Sequence, residues 1–180
     1  MSNYKVWMDL EMSGLNPAYD KILEIATVVT DNNLEIIAMG PNLVINQEQS
    51  LLDGMDDWNK DHHGNSGLTH EVITSDISEQ DAEQETLLFL KDYLIKGASP
   101  LCGNSISQDR RFLRRYMPEL ANFFHYRNID VTSIKILTEM WRPDIRFSKD
   151  NSSSHRALHD TLESIKELKF YQENFFNILS

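Results

Sequence analysis

Two acidic residues two positions apart, Asp9 and Glu11, lie at the end of a segment that favours a β-strand. Successive strand side chains point to opposite faces, so both carboxylates lie on one face, about 7 Å apart along the chain. Val6, Met8 and Leu10 then face the other way. Carboxylate oxygens are the ligands that Mg²⁺ and Mn²⁺ prefer. Because an isolated acidic pair at a strand end is more often only solvated, a metal site needs further acids.

A third acid, Asp109, stands near the start of a predicted helix over residues 106–116. Phe112, Leu113 and Tyr116 follow it three, four and seven residues later, which places Asp109 on the apolar face of that helix. A carboxylate aimed at the sheet needs a partner, because unpaired buried charge is costly. An acid that only favours the helix dipole would occupy the same position. The outer face of this helix is predicted to be solvated and to carry four arginines, Arg110, Arg111, Arg114 and Arg115.

A fourth acid, Asp160, follows His155 by five residues. Five residues turn an α-helix about 140° past one full turn, so the two side chains cannot share one face of a regular helix. At a loop–helix junction, His155 could swing over a site to which Asp160 is fixed. Four carboxylates on separate elements suit two divalent cations about 3.5–4 Å apart, which clamp the oxygens of a phosphoryl displacement. A neutral histidine nearby can accept the proton of the attacking water.

The elements that must position these residues alternate between strand and helix patterns. Strands are predicted at residues 4–9, 21–30, 34–45, 100–103 and 128–131. Helices are predicted at about 78–95, after a capping-box pattern, and at 106–116, 131–141 and 155–177. Three consecutive strands followed by alternating helices and strands indicate an α/β domain, with helices flanking a mixed sheet. The length of 180 residues predicts one domain over residues 1–180.

The charge distribution limits the partners. The net charge is 17 − 28 = −11. Residues 110–156 hold ten basic and five acidic residues, so that segment is +5 and the rest is −16. This balance argues against tight binding along a long phosphate backbone, but it allows a short anionic ligand. The absence of a long apolar run or signal-peptide pattern and the single cysteine predict a cytoplasmic protein without a membrane span.

Three stretches resemble the motifs of the DEDD 3′–5′ exonuclease family in its histidine-containing DEDDh branch: residues 9–11, 104–109 and 155–160. Further stretches are similar to the oligoribonucleases within that branch: residues 7–15, 55–59, 102–112, 116–120 and 125–127. The resemblance implies an RNase H-like fold with a mixed five-stranded sheet. It also implies hydrolysis of short single-stranded RNA, dinucleotides especially, to 5′-mononucleotides with two Mg²⁺ or Mn²⁺ ions. His155 would be the general base, and the metal ligands would be Asp9, Glu11, Asp109 and Asp160.

The same resemblance implies a small substrate pocket. Leu15 and Trp58 would wedge against the two bases, which suits an enzyme indifferent to sequence because every base has a π-face. The pocket would bind a 5′-phosphorylated dinucleotide. Its end would be closed around the 5′ phosphate by four residues, His63, Ser105, Arg127 and Thr132. Tyr126 would reach into the partner's site, which requires a homodimer.

Three other functions use similar features. A proofreading-type DNA exonuclease shares the acids and the histidine, but the compact chain and residues 55–59 argue against it. An RNase H endonuclease shares the fold, but the spacing of His155 and Asp160 argues against it. A non-enzymatic nucleic-acid-binding adaptor on the same fold would normally lack one or more of the acids, and all four are present.

Overall fold

The computed structural model describes residues 3–148 and 156–176. Its centre is a five-stranded sheet with the order β3-β2-β1-β4-β5. The strands are β1 (Lys5–Met12), β2 (Ile22–Thr30), β3 (Ile36–Val44), β4 (Leu101–Gly103) and β5 (Asn128–Asp130). The first three pair antiparallel, and β4 and β5 run parallel to β1. The prediction of a mixed five-stranded sheet is confirmed.

Strand β1 continues three residues beyond its predicted end, so Asp9 and Glu11 both lie within it. Val6, Met8 and Leu10 are buried in one core cluster, whereas Trp7 is buried in another. This alternation confirms the prediction that successive side chains of β1 point to opposite faces of the sheet. It places the two carboxylates on the Trp7 side of the sheet.

Eight helices accompany the sheet in the described residues. They are α1 (Gln49–Asp53), α2 (Asp57–Asn65), α3 (Leu68–Thr74), α4 (Glu79–Lys91), α5 (Ser107–Tyr116), α6 (Pro118–Phe123), α7 (Val131–Trp141) and α8 (Ala157–Asn174). Helices α4, α5 and α6 pack in the cluster around Val6. Helix α8 packs in the cluster around Trp7. The sheet is therefore covered on both faces, and helices carrying Asp109 and Asp160 approach β1 from opposite sides.

Four short helices were absent from the sequence prediction: α1, α2, α3 and α6. The longest of them has nine residues, and the helical period is hard to recognise over so few turns. The capping box before α4 was predicted and is present, with Ser78 and Asp81 exchanging hydrogen bonds. No helix in the described residues is both long and apolar enough to cross a membrane.

Candidate active site

Three acidic side chains from two elements meet on the Trp7 side of the sheet. One carboxylate oxygen from each of Asp9, Glu11 and Asp160 lies within 4.8 Å of the other two. Strand β1 supplies the first two, and the first turn of α8 supplies the third. The sequence grouped these acids, and the structure brings them together. Like charges this close repel one another, so the cluster suits a cation.

Burial and the neighbouring carboxylates change the pKa of Glu11. Its pKa is raised to about 8, first because burial disfavours the charged form. The carboxylates of Asp160, Glu24 and Asp109 raise it further, and the guanidinium of Arg156 opposes them. Without a cation, Glu11 is mostly protonated at pH 7. Hard oxygen donors in a half-buried cluster that resists full ionisation fit a site for divalent metal ions.

Asp109 lies beside this cluster but is held differently. Its Oδ1 accepts a hydrogen bond of 2.9 Å from the backbone N–H of Leu10, the residue between the two β1 acids. Burial raises the pKa of Asp109 to about 7, and hydrogen bonds from backbone N–H groups lower it. Asp109 is therefore tied to the backbone of the metal-site strand and lies near enough to Glu11 to raise its pKa.

His63 is buried next to the acidic cluster. Its Nδ1 lies 3.9 Å from Glu11 Oε2, and its Nε2 lies 2.9 Å from the carbonyl oxygen of Met12. That carbonyl can only accept, so the ring proton belongs on Nε2. Burial lowers the pKa of His63, which favours the neutral ring. Its predicted contact with a 5′ phosphate stays a prediction.

An ion pair fixes the start of α8. Glu24 on β2 is opposite Glu11 in the strand pairing, and its side chain is fully buried. Its carboxylate accepts hydrogen bonds from the guanidinium of Arg156 and, at 3.0 Å, from the backbone N–H of Ala157. Glu71 on α3 binds the same guanidinium at 2.7 Å. These contacts hold the first turn of α8, and with it Asp160, against the sheet.

The predicted general base, His155, lies outside the described residues. The preceding residues, 149–154, lie outside them as well. Helix α8 begins at Ala157, two residues after this position. The role of His155 stays a prediction.

Two apolar side chains proposed to contact bases, Leu15 and Trp58, line one cavity of about 470 Å³. They are 73% and 67% exposed. Because both line the same cavity, they form a joint apolar surface there and are not merely scattered exposed side chains. The Trp58 ring stacks on His62 with centroids 4.3 Å apart, so one ring face is supported. The structure thus brings together a pair that is 43 positions apart in the chain.

Helix α5 holds the loop that carries Leu15. The side-chain amide of Gln108 donates to the Leu15 carbonyl at 2.6 Å. The Tyr116 hydroxyl lies 2.8 Å from the carbonyls of both Pro17 and Asp20. Neither contact is predictable from the sequence, since only three-dimensional proximity reveals a hydrogen bond to a distant backbone carbonyl.

The predicted pair Ser105 and Thr132 lies at the ends of β4 and β5. Their hydroxyl oxygens are 3.1 Å apart, and the Ser105 backbone N–H donates to Thr132 Oγ1 at 2.9 Å and to Asp130 Oδ1 at 3.0 Å. Ser105 has a φ of 48°, a left-handed conformation that costs a non-glycine residue about 1 kcal/mol or more. Such strain is typical of functional sites.

The last two predicted substrate residues, Tyr126 and Arg127, are neighbours on the exposed loop 125–128. The Arg127 guanidinium carbon lies 5.3 Å from the centroid of the Tyr126 ring. The Tyr126 ring also stacks on His125, with centroids 4.4 Å apart. Both side chains project into solvent and are available to a ligand or a second subunit.

Two residues that shape the site were missed or misjudged. Arg110 was predicted on a solvated helix face, but it is only 7% exposed, so that prediction is wrong. It lies four residues after Ile106 and three before Leu113, both buried, and this spacing was the available signal. Glu24 had a signal too, since it is the one charged residue in the buried strand β2.

The chain is similar to known exonucleases over most of its length. The RNase_T family model, described as exonuclease, matches residues 6–168. The oligoribonuclease of Shewanella loihica is 54% identical over 96% of this chain and 96% of its own. That of Alcanivorax borkumensis is 53% identical over 97% of each chain, and that of Hydrogenovibrio crunogenus is 55% identical over 97% of this chain and 95% of its own.

Solved structures of exonuclease I share the fold. The Escherichia coli enzyme in complex with an oligonucleotide superposes with a TM-score of 0.73, at 14% identity and over 98% of this chain. The enzyme of Methylocaldum szegediense gives a TM-score of 0.69 at 18% identity over 96% of this chain. This chain covers only 42% and 41% of those two chains. The predicted RNase H-like fold is confirmed.

Proposed function

This chain belongs to the oligoribonuclease family, and we propose that it is a 3′–5′ exoribonuclease that degrades short RNA, especially dinucleotides, to 5′-mononucleotides. The observation that carries the proposal is the cluster of Asp9, Glu11 and Asp160, with Asp109 beside it. A nucleic-acid adaptor needs no such cluster, and its electrostatic cost argues for a catalytic role. Residues 1–180 would act as one domain.

The four acids would hold two divalent cations, Mg²⁺ or Mn²⁺. Bound there, such ions activate water and stabilise charge on the phosphate oxygens. Carboxylate oxygens of Asp9, Glu11 and Asp160 already lie close together, and the carboxylate of Asp109 would add a fourth ligand. His155 would take the proton from the attacking water. The chain's own contribution is to keep four carboxylates close enough for this task despite their repulsion.

The substrate would lie between the cavity of Leu15 and Trp58 and the hydroxyl pair Ser105 and Thr132. Stacking in the cavity does not read base identity, since every base offers a π-face. The hydroxyl pair, with Arg127 and His63, would close the pocket around a 5′ phosphate and so limit the length of the RNA. Because the chain carries a net charge of −11, binding must depend on such local contacts.

The function is tested with 5′-phosphorylated RNA of two to seven nucleotides. Mg²⁺ or Mn²⁺ should support release of 5′-mononucleotides from the 3′ end, with the highest kcat/KM for the dinucleotide. A chelator should abolish release. DNA of the same length and RNA in an RNA–DNA hybrid are the controls for the proofreading and endonuclease alternatives. Binding without any hydrolysis would identify an adaptor and overturn the proposal.

Metal binding should release protons near neutral pH. Glu11, with a pKa of about 8, is mostly protonated at pH 7 in the metal-free protein, and a ligand must be ionised. We expect release of between about one and two protons at pH 7, because Asp109, whose pKa is about 7, contributes beside Glu11. The release should fade above pH 9, and metal affinity should rise with pH up to about pH 8. Titration calorimetry of Mn²⁺ in buffers of different ionisation enthalpy measures this. Glu11→Gln should release fewer protons, and no release from the wild type would contradict the prediction.

The 5′ phosphate should select the substrate through Arg127. A charge-assisted hydrogen bond of about 1.5–3 kcal/mol corresponds to roughly 10–150-fold in affinity. Arg127→Ala should lose this factor for a 5′-phosphorylated dinucleotide and leave a 5′-hydroxyl dinucleotide unaffected. Binding is measured in Ca²⁺ to suppress turnover. Equal wild-type affinity for the two ligands would refute phosphate selection.

The enzyme should be a homodimer in which Tyr126 completes the partner's site. The Tyr126 side chain is 71% exposed although its ring is large and apolar, which suits a contact with a second subunit. Tyr126→Ala and Asp160→Asn should each be nearly inactive alone. Mixed dimers of the two should regain one working site, made of intact acids and the partner's tyrosine. Sedimentation velocity checks the dimer, and an active monomer would exclude this arrangement.

We also propose a cytoplasmic location. The support is the single cysteine, Cys102, which is buried and unpaired, as is typical of reducing compartments.

A further inference from the structure

A buried arginine connects helix α5 to the loop 125–128. Arg110 Nη2 donates to the His125 carbonyl at 2.7 Å. Its Nη1 donates to Asn128 Oδ1 at 2.6 Å and to the Arg127 carbonyl at 3.4 Å. Both ends of the loop are thereby held by one guanidinium, and the exposed side chains of Tyr126 and Arg127 lie between them.

Burial of the Arg110 guanidinium is unfavourable for the stability of the protein. A buried charge normally has a counter-charge, yet within residues 3–148 and 156–176 no carboxylate forms an ion pair with Arg110. Its Nε also has no hydrogen-bond partner in that part of the chain. An apolar side chain would fill the position between Ile106 and Leu113 at lower cost. The presence of an arginine here is therefore better explained by the hydrogen bonds that its N–H groups donate to residues 125–128.

The donors suit this task. The guanidinium is a planar fork whose N–H groups diverge at fixed angles, so it can bond two backbone carbonyls and a side-chain amide at once. A lysine ammonium is a single point on a flexible stem and cannot span the same acceptors. Loop 125–128 has two further contacts: the His125 N–H donates to the carbonyl of Ser99, just before β4, and the Arg127 N–H donates within the loop to His125 Nδ1. Arg110 is the contact that joins the loop to α5.

We propose that Arg110 is a positioning residue that presents Arg127 to the 5′ phosphate and so helps to set substrate length. The preceding residue, Asp109, is tied to β1 through the Leu10 N–H. Two consecutive residues of α5 thus fix the metal-site strand and the phosphate-binding loop, which keeps the distance between the two ends of a bound dinucleotide constant. The proposal rests on the role given to Arg127 under the proposed function.

The kinetic test uses Arg110→Met, which keeps an unbranched apolar stem and removes the donors, and Arg110→Lys, which keeps the charge. Both should raise KM for a 5′-phosphorylated dinucleotide by about 10–100-fold, with kcat within about threefold of wild type. KM for the 5′-hydroxyl dinucleotide should barely change. The matched control is Arg115→Met, an exposed arginine on the same helix, which should behave as wild type. An equal loss on both dinucleotides would overturn the proposal.

A double-mutant cycle separates positioning from general damage. Because Arg110 acts through Arg127, adding Arg110→Met to Arg127→Ala should change KM by less than about twofold. Additive effects would overturn the proposal. Hydrogen exchange of loop 125–128 in the ligand-free protein is an independent readout and should accelerate at least about tenfold in Arg110→Met. Unchanged exchange also overturns the proposal. Faster exchange in an enzyme whose wild type ignores the 5′ phosphate would contradict the role of Arg127 and support the hold of Arg110 on the loop.

Discussion

Replacing Asp160 by Asn is expected to lower kcat by at least about 10³-fold and to leave the metal-free protein at least as stable as the wild type. The loss follows because a ligand oxygen and its charge leave a site that stabilises developing charge. The stability follows because one of three carboxylates within 4.8 Å of one another becomes neutral, which relieves repulsion. Replacing an acid with a purely structural role would instead lower the stability of the protein and leave kcat nearly unchanged.

The measurement is single-turnover hydrolysis of a 5′-phosphorylated dinucleotide, together with thermal unfolding in a chelator. Glu85→Gln removes the same charge from the exposed side of α4 and should leave both quantities unchanged.

Asp109→Ala should also lower kcat by several orders of magnitude, even at saturating Mn²⁺. Near-full activity of that variant would show that the metal assignment is wrong. His155→Ala should lose about 10²–10⁴-fold, the usual contribution of a general base.

The parts of the fold that the sequence predicted are those with a local signal. Alternation along β1 placed Asp9 and Glu11 on one face, and the core clusters confirm that alternation for Val6, Met8 and Leu10. The capping box fixed the start of α4. Five strands were found because each is a short segment rich in strand-forming residues between turns. Signals of this kind depend only on neighbours in the chain.

The parts that were missed depend on contacts between distant segments. Helices α1 and α3 are stabilised by a small separate core that includes Leu23, Leu52 and Leu68, and no residue within one of these short helices reveals it. The buried position of Arg110 had a helical spacing signal, but its charge made an exposed position the better estimate. The acceptors that make its burial possible lie 15 to 18 residues away.

The ion pair between Glu24 and Arg156 gives the largest expected effect on stability. Within residues 3–148 and 156–176, Arg156→Met leaves the fully buried Glu24 carboxylate with the Ala157 N–H at 3.0 Å as its remaining hydrogen-bond donor. Breaking a buried pair from one side costs about 3–5 kcal/mol, because the remaining charge stays buried without its counter-charge. For a chain of this size we expect a fall in Tm of about 6–20 °C.

The other half of the arginine's network supplies a matched control. Glu71 binds the same guanidinium at 2.7 Å, but its side chain is 44% exposed. An exposed pair contributes about 0–1 kcal/mol, so Glu71→Gln should shift Tm by no more than about 4 °C. Equal losses from Arg156→Met and Glu71→Gln would contradict the view that the buried carboxylate dominates.

Removing both charges should separate stability from activity. Glu24→Leu combined with Arg156→Met removes both charges of the pair, so neither member is left buried without its partner. The double variant should therefore be clearly more stable than Arg156→Met alone. It still lacks the link that ties the first turn of α8 to β2, opposite Glu11. Asp160, one turn into that helix, would then be less well fixed, and a misplacement of about 1 Å can cost about 10²-fold in rate. We therefore expect a stable enzyme with kcat reduced by about 10-fold or more, measured by unfolding and single-turnover hydrolysis on the same preparation. Full activity in the stable double variant would show that the pair stabilises the fold without positioning the metal site.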